Sequence, residues 1–151
     1  CINMIPTNLY GPSDNFNPIS SHVVPGLISK INNAKLEKRS QYMVWGSGNP
    51  LRELLYVDDL VNALEIVLKS SCDFDMVNVG SGIEVSIKEL ALKIKDLVGF
   101  EGDIVFDTTK PDGIERKALD SSLIRSLGWK PSTTLDQGLN YTYKWFLQNK
   151  N

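Results

Sequence analysis

The sequence of 151 residues has little of what several common protein classes require. Its two cysteines, Cys1 and Cys72, fit neither a disulfide framework nor a metal site, so a reducing, cytoplasmic compartment is expected. Its 16 basic and 18 acidic residues leave a net charge of −2, which excludes a broad basic surface. No apolar run approaches the roughly 20 residues of a membrane-spanning helix. We therefore expect neither a nucleic-acid partner nor a membrane partner.

Metal-binding and phosphate-binding signatures are also scarce. Asp58 and Asp59 could form a carboxylate pair, but the single histidine, His22, and the lack of any other ligand cluster give no metal spacing. A side chain at a helix N-cap contributes ~1 kcal/mol and needs no further partner. We therefore predict a helix cap at Asp58 or Asp59 and no metal site. The segment 80–82 lacks the lysine and the length of a P-loop, and it is predicted to be a turn.

What the sequence does contain is an alternation of apolar strand and helix patterns. Capping boxes at Ser86–Glu89 and Thr134–Gln137 mark two helix starts, and Ser20 or Ser21 is predicted to cap another. Helices are predicted over 21–35, from 58 or 59 to 68, from 86 to 98, over 121–127, and from 134 through 146. Strands are predicted at the opening residues and over 42–46, 75–82 and 103–107, with loops over 47–53 and 109–117. This alternation predicts an α/β fold with about four strands.

The opening residues predict a strand whose neighbours must come from elsewhere. Ile2, Met4 and Ile5 give it a buried character, and Pro6 ends it. A buried parallel strand needs neighbours on both sides. We therefore expect the chain to be a piece of a larger α/β protein.

The order of several segments resembles the GDP-L-fucose synthases, which are extended short-chain dehydrogenase/reductases that act on nucleotide sugars. Segments such as VDDLVNAL and VNVGSG are widespread among sugar-nucleotide epimerases and indicate only the superfamily. The segments NLYGPSDNF, SSHVVP and DTTKPDG are more particular. Together with LGWKP they extend the resemblance over essentially the whole chain.

The resemblance implies a fold, an activity and partners. The family joins an NADP-binding Rossmann domain to a smaller α/β domain that holds the GDP-sugar, and its members are usually homodimers. It epimerises GDP-4-keto-6-deoxy-D-mannose at C3 and C5, then reduces the 4-keto group with NADPH to give GDP-L-fucose. By this resemblance, residues 1–151 are the C-terminal substrate-binding portion, in which 1–10 and about 54–82 complete the Rossmann domain.

The family's N-terminal cofactor-binding half has no counterpart in this sequence. No G-x-x-G-x-x-G turn is present for the cofactor's pyrophosphate, and no tyrosine has a lysine four residues later. In the family that tyrosine gives a proton to the reduced carbonyl, and the lysine lowers its pKa. Cys1 and Cys72 do not match the family's catalytic cysteine. We therefore predict that the isolated chain is inactive.

The resemblance assigns roles around the reacting sugar. Epimerisation beside a ketone needs an acid and a base, and an imidazole titrates near neutral pH. Taken alone, a histidine at a helix start is more often a surface residue. By the resemblance, His22 is the acid/base group and also contacts NADP(H). Pro6, Thr7, Asn8 and Leu9 match the segment that passes the nicotinamide, although alone they indicate a plain strand end.

The resemblance also assigns contacts to the GDP-sugar. A diphosphate needs cations, a guanine needs a flat apolar surface, and ribose hydroxyls need an acceptor. The matching residues are Lys30, Trp45, Arg52, Asp112 and Lys117. Each of them alone has a structural explanation, such as a core position for Trp45, and Arg116 is an alternative cation to Lys117.

Three hypotheses for function remain open at this point. The leading hypothesis is part of a GDP-L-fucose synthase that uses NADP(H). The second is another nucleotide-sugar epimerase or reductase. The third is a non-catalytic module that binds nucleotide sugars.

Overall fold

The computed structural model describes residues 2–70 and 74–149, in which strands and helices alternate along most of the chain. The strands are β1 (Asn3–Pro6), β2 (Asn8–Tyr10), β3 (Gln41–Trp45), β4 (Leu51–Tyr56), β5 (Met76–Val79), β6 (Glu84–Ser86), β7 (Asp103–Asp107) and β8 (Arg116–Lys117). The helices are α1 (Val23–Leu36), α2 (Val57–Lys69), α3 (Ile87–Val98), α4 (Ser122–Ser126) and α5 (Leu135–Asn149). Cys1 and Cys72 lie outside the described residues. In the described part of the chain, no helix combines the length and the apolar character needed to cross a membrane.

Parallel strand pairs dominate the sheets, which confirms the predicted α/β class. β1 pairs with β5, β2 with β4, and β3 with β7, all in parallel. β4 also pairs with β8 in parallel and with β6 antiparallel. The described chain therefore has more strands than predicted: β2, β6 and β8 are too short to stand out in the apolar pattern, and β4 is missed because Arg52 and Glu53 interrupt its apolar character. The predicted loop over 47–53 is wrong from Leu51 onward, since residues 51–53 form the first half of β4 and pair with β6 and β8. The predicted loop over 109–117 is wrong at Arg116 and Lys117, which form β8.

Thr7 lies at the break between β1 and β2 and links two sheets. Its N–H donates to the carbonyl of Val79 in β5 at 3.0 Å. Its buried hydroxyl donates to the carbonyl of Glu53 in β4, also at 3.0 Å. The opening segment therefore leaves the β5 sheet at Thr7 and joins the β4 sheet. This switch places the carboxyl end of β1 beside β4, at the kind of position where open α/β sheets bind ligands.

β1 forms where it is predicted but is less buried than its sequence indicates. Ile2 is 37% exposed and Ile5 is 39% exposed. Among the described residues, β1 pairs with β5 alone, so its second edge has no neighbouring strand. The prediction of a buried strand is therefore wrong in this structure, because apolar character indicates burial only where a neighbour covers it.

We expect the chain to self-associate through the open edge of β1, because unpaired strand edges template pairing with another chain. Sedimentation velocity of the 151-residue chain should show dimers or larger species whose share rises with concentration. Ile5→Lys should shift the population towards monomer, whereas Leu147→Lys on α5 should not. Leu147 is a suitable control because it is also apolar and is 51% exposed. A clean monomer at high concentration for the unmodified chain would contradict this expectation.

Two predicted capping boxes are confirmed. At the start of α3, Ser86 Oγ accepts the Glu89 N–H at 3.1 Å, and Glu89 Oε2 accepts the Ser86 N–H at 3.0 Å. At the start of α5, Thr134 and Gln137 make the same reciprocal pair. Gly99 ends α3 in the left-handed conformation, with a φ of 69°. These contacts are local, so the sequence pattern is sufficient to predict them.

The cap predicted at Asp58 or Asp59 is wrong. Tyr56 is the N-cap of α2, so both acids lie in the first turn of the helix. Asp59 is 1% exposed and accepts hydrogen bonds from Ser132 N at 2.9 Å, Ser132 Oγ at 2.7 Å and Thr133 N at 3.1 Å. Its carboxylate therefore holds a distant loop instead of its own helix end. Within the part of the chain that the structure describes, no group of three or more His, Cys, Asp or Glu side chains could hold a metal ion.

Two clusters of buried side chains hold these elements together, and β4 contributes to both. Leu54 belongs to the larger cluster, formed mainly by α1, α3 and α5. Leu55 belongs to the smaller cluster, formed mainly by α2, β5 and Trp129. Successive residues of a strand point to opposite faces, so β4 is the wall between the two clusters. This central position makes β4 a rigid support for side chains at its amino end.

Candidate functional site

A cleft of about 700 Å³ opens beside the carboxyl end of β1. It lies within the roughly 300–1,000 Å³ that is usual for small-molecule sites. Six of the predicted site residues line it: Thr7, Asn8, Leu9, His22, Arg52 and Lys117. Four segments that are far apart in the sequence therefore meet in one space, namely the segment 7–9, the start of α1, β4 and β8.

Two cations stand side by side in this cleft. Arg52 of β4 and Lys117 of β8 are register partners on adjacent parallel strands. The Arg52 Nη1 atom donates to the carbonyls of Leu51 at 2.6 Å and Ile114 at 2.7 Å. Among the described residues, no hydrogen bond engages Nε or Nη2 of Arg52, or the ammonium group of Lys117. Paired cations with free donors suit a ligand with two phosphate groups.

Arg116, the alternative cation, is engaged elsewhere. Its Nε and Nη2 atoms each donate to the Glu84 carboxylate at 2.8 Å. These hydrogen bonds hold the pKa of the Glu84 carboxyl below its usual value. Arg116 and Lys117 are successive residues of a strand, so their side chains diverge to opposite faces. Lys117 lines the 700 Å³ cleft, whereas Arg116 lines a different one.

His22 lies at the mouth of two clefts. It is the N-cap residue of α1, so the cap predicted at Ser20 or Ser21 is wrong. Ser20 Oγ instead accepts a hydrogen bond from Asn15 Nδ2 at 3.0 Å. The His22 side chain is exposed and makes no capping hydrogen bond. It lines both the 700 Å³ cleft and an adjoining cleft of about 310 Å³, so a ligand that spans the two would pass the imidazole.

The segment that leads into His22 is anchored on the last helix. Phe16 lies in this segment, and its ring centroid is 4.9 Å from that of Phe146 and 5.8 Å from that of Trp145. Both partners belong to α5. The position of His22 therefore depends on aromatic packing against residues more than a hundred positions later in the sequence.

Lys30 and Trp45 line the smaller cleft together with His22. Trp45 is 75% exposed, which excludes the core position considered from the sequence alone. The ammonium group of Lys110 lies 5.8 Å from the centroid of its ring, a distance that allows a cation–π contact. An exposed indole beside a lysine offers a flat apolar surface and a charge, which suits a base and its attached groups.

Two other candidates stand apart from these clefts. Asp112 lines a third cleft of about 580 Å³, and its Oδ1 and Oδ2 atoms accept from Ser47 N at 2.8 Å and Ser47 Oγ at 2.6 Å. These hydrogen bonds hold the pKa of the Asp112 carboxyl below its usual value. The carboxylate thus ties the loop after β7 to the loop after β3. Pro6 pairs with Val79 within β1 and does not line any of the three clefts.

Tyr10 lines the large cleft but is poorly placed to donate a proton there. It is 3% exposed, and its hydroxyl donates to the Leu135 carbonyl at 3.4 Å. Burial raises the pKa of its phenol well above the usual value. A tyrosine that protonates a carbonyl needs the opposite shift. Tyr10 therefore supports the wall of the cleft rather than its chemistry.

The sequence patterns miss one buried acid behind the cations. Glu53 is 1% exposed, and its carboxylate accepts the Gly82 N–H at 2.5 Å and the Leu119 N–H at 2.8 Å. The signal that could have indicated it is the position of this acidic residue directly before the apolar segment LLY, residues 54–56. A charge in a central strand is rare unless it is satisfied by placed donors.

Comparison with known proteins shows which family the sequence of this chain matches. A model of the family described as "NAD dependent epimerase/dehydratase family" matches residues 1–80. GDP-L-fucose synthase 1 of Arabidopsis thaliana is 51% identical over 148 residues, covering 98% of this chain and 46% of that protein. GDP-L-fucose synthase of Sinorhizobium fredii is 49% identical over 148 residues, covering 98% of this chain and 47% of that protein. The chain thus spans about half the length of the curated relatives that it matches.

A solved structure agrees with the sequence comparison. The crystal structure of a GDP-L-fucose synthetase from Naegleria fowleri bound to NADP superposes with a TM-score of 0.89. It is 36% identical in sequence, and the match covers 98% of this chain and 47% of that one. The predicted kinship with Rossmann-like, NADP-dependent folds is therefore confirmed. This chain belongs to the NAD dependent epimerase/dehydratase family.

Proposed function

We propose that this chain is the C-terminal, substrate-binding portion of an NADPH-dependent GDP-L-fucose synthase. The observation that carries the proposal is a single cleft lined by His22 and by the paired cations Arg52 and Lys117. A GDP-sugar undergoing epimerisation needs cations for its diphosphate and an acid/base group near its sugar, and this cleft offers both. The names of the relatives support the same substrate.

The substrate lies across the two adjoining clefts in this proposal. Arg52 and Lys117 bind the diphosphate in the larger cleft, and the indole of Trp45 stacks on the guanine in the smaller one, beside Lys30. Asp112 reaches the ribose from the loop after β7 through the lone pairs that Ser47 leaves free. Residues of the segment 112–117 line both the 700 Å³ cleft and the 580 Å³ cleft, which supports a ligand that passes along this segment.

The reacting end of the sugar lies at His22. The C–H bonds at C3 and C5 flank the ketone and are therefore acidified, and the imidazole removes or returns a proton there. NADP(H), when bound, supplies the hydride that reduces the 4-keto carbon. Pro6, Thr7, Asn8 and Leu9 lie along its nicotinamide end. The carboxyl end of β1 opens onto the cleft at Thr7, which fits this role.

We also propose a domain division and an assembly for the whole enzyme. Residues 1–10 and about 54–82 complete the Rossmann domain of the whole enzyme, and the parallel pairing of β1 with β5 supports this division. The whole enzyme is a cytoplasmic homodimer. The chain taken alone does not oxidise NADPH, because its sequence contains no Tyr-x-x-x-Lys pair.

Calorimetric titration of the chain with GDP tests the proposal. We expect GDP to bind and Arg52→Ala to weaken binding at least about tenfold, since a hydrogen bond to a charged group contributes about 1.5–3 kcal/mol. Arg39→Ala is the matched control, because Arg39 is 59% exposed and pairs with Glu37 on the surface. It should leave the affinity unchanged.

The same titration distinguishes the competing hypotheses. Tighter binding of UDP or dTDP than of GDP would indicate another nucleotide-sugar enzyme. Equal affinities of the Arg52→Ala and unmodified chains would show that the diphosphate does not lie in the 700 Å³ cleft. Either result would overturn the proposal as stated.

A further inference from the structure

We infer that Glu53 is a positioning residue that sets Lys117 beside Arg52 for contact with a diphosphate. The inference rests on the proposed function for the identity of the ligand, but its structural basis is independent. Among the described residues, the Glu53 carboxylate makes no hydrogen bond to the charged group of Arg52 or of Lys117. It acts through two backbone N–H groups outside β4 and β8, that of Leu119, just beyond β8, and that of Gly82, in the turn between β5 and β6.

The strand that carries Lys117 is weakly held by itself. β8 comprises two residues, and its parallel pairing with β4 is supplemented by the Leu51 N–H, which donates to the Glu115 carbonyl at 2.8 Å. On its outer face, Arg116 pairs with Glu84, and the side chains are 66% and 24% exposed. Solvent around the exposed guanidinium screens this ion pair and reduces what it adds to the hold on β8. A two-residue strand with these supports needs another anchor to keep its register.

Glu53 provides that anchor from behind. Its Oε2 atom accepts the N–H of Leu119, two residues beyond Lys117, at 2.8 Å. Arg52 precedes Glu53 in β4, so the guanidinium faces the cleft while the carboxylate faces the opposite side. The buried carboxylate of Glu53, the residue after Arg52, therefore fixes Leu119, two residues after Lys117. This link holds the two cations at a constant separation.

The other oxygen of Glu53 secures the carboxylate itself. Oε1 accepts the Gly82 N–H at 2.5 Å. Gly80 lies against the same carboxylate, and a Cβ atom at position 80 would collide with it. The carbonyl of Glu53 also accepts the hydroxyl of Thr7, which lines the cleft. The turn 80–82 thus packs closely against the Glu53 carboxylate and hydrogen-bonds to it, which keeps the carboxylate from shifting away from β8.

Hydrogen exchange and ligand titration of Glu53→Gln test the inference together. The substitution keeps the shape but places an amide NH₂ against one of two N–H donors, so one anchor bond is lost. We expect the Leu119 amide to exchange at least about tenfold faster, while the amides of α3 keep their protection. We also expect GDP affinity to fall about tenfold and guanosine affinity to stay within about twofold, because only the diphosphate contacts depend on the cations. Gly80→Ala, which displaces the same carboxylate, should reproduce both effects.

The controls separate this inference from the proposed function. Glu65→Gln removes an exposed carboxylate that pairs with Lys69 on α2, and it should change neither measurement. Unchanged exchange at Leu119 in both Glu53→Gln and Gly80→Ala would overturn the inference, as would an equal loss of GDP and guanosine binding. If the unmodified chain binds no GDP, the proposed function fails. The exchange rates then still decide whether Glu53 holds β8.

Discussion

In the proposed GDP-L-fucose synthase, replacing His22 by glutamine should abolish most epimerisation. Loss of a positioned acid/base group typically lowers a rate by roughly 10²–10⁴-fold. Glutamine keeps hydrogen-bonding capacity but cannot exchange a proton near neutral pH. The measurement is the incorporation of solvent deuterium at C3 and C5 of the 4-keto sugar, followed by NMR in deuterated buffer without NADPH. Because this exchange precedes reduction, it reports on His22 separately from hydride transfer.

Two further readouts make this result specific to proton transfer. GDP affinity should not change in His22→Gln, because the diphosphate contacts are assigned to Arg52 and Lys117. Ser20→Ala is the control in the same segment, since it removes a hydroxyl that accepts a local hydrogen bond from Asn15. Deuterium exchange at an undiminished rate in His22→Gln would assign the acid/base role to another residue.

The features that the sequence predicts correctly depend on neighbouring residues. The capping boxes at Ser86 and Thr134 and the glycine stop at Gly99 involve partners within a few positions, so a pattern identifies them directly. The predicted α/β class follows from the same local periodicity. The N-cap predicted at Asp58 or Asp59 is wrong. The Asp59 carboxylate instead accepts a hydrogen bond from Ser132, which is too far away in the sequence for a local pattern to include it.

The candidate site also has some features that the sequence predicts and others that it does not. Motif resemblance identifies His22, Arg52 and Lys117 as candidates, and the structure brings them to one cleft. The pairing of β4 with β8, which makes the two cations neighbours, could not be predicted, because a two-residue strand has no periodicity of its own. The role of Glu53 was missed for a related reason: its partners are backbone N–H groups, which every sequence contains.

The largest effect on stability is expected from Asp59→Ala. Its buried carboxylate accepts three hydrogen bonds from Ser132 and Thr133, and the substitution leaves two backbone N–H groups without these acceptors. A hydrogen bond to a charged group contributes about 1.5–3 kcal/mol, and water can replace part of this because Ser132 is exposed and Thr133 half-buried, so we expect a loss of about 3 kcal/mol in the free energy of unfolding. Urea denaturation followed by circular dichroism measures it. The carboxylate ties the start of α2 to the segment that leads into α5, so loss of the tie should loosen the helix on which Phe16 packs.

The neighbouring acid supplies a matched control for this expectation. Asp58 lies in the same first turn of α2 but is exposed, so Asp58→Ala should change the free energy of unfolding by no more than about 0.5 kcal/mol. Both substitutions remove one negative charge from the same helix N-terminus, and their effects through the helix dipole are therefore similar. The difference between them isolates the bonds to Ser132 and Thr133. Equal effects of the two substitutions would mean that helix-end charge, and not the link to α5, is what Asp59 contributes.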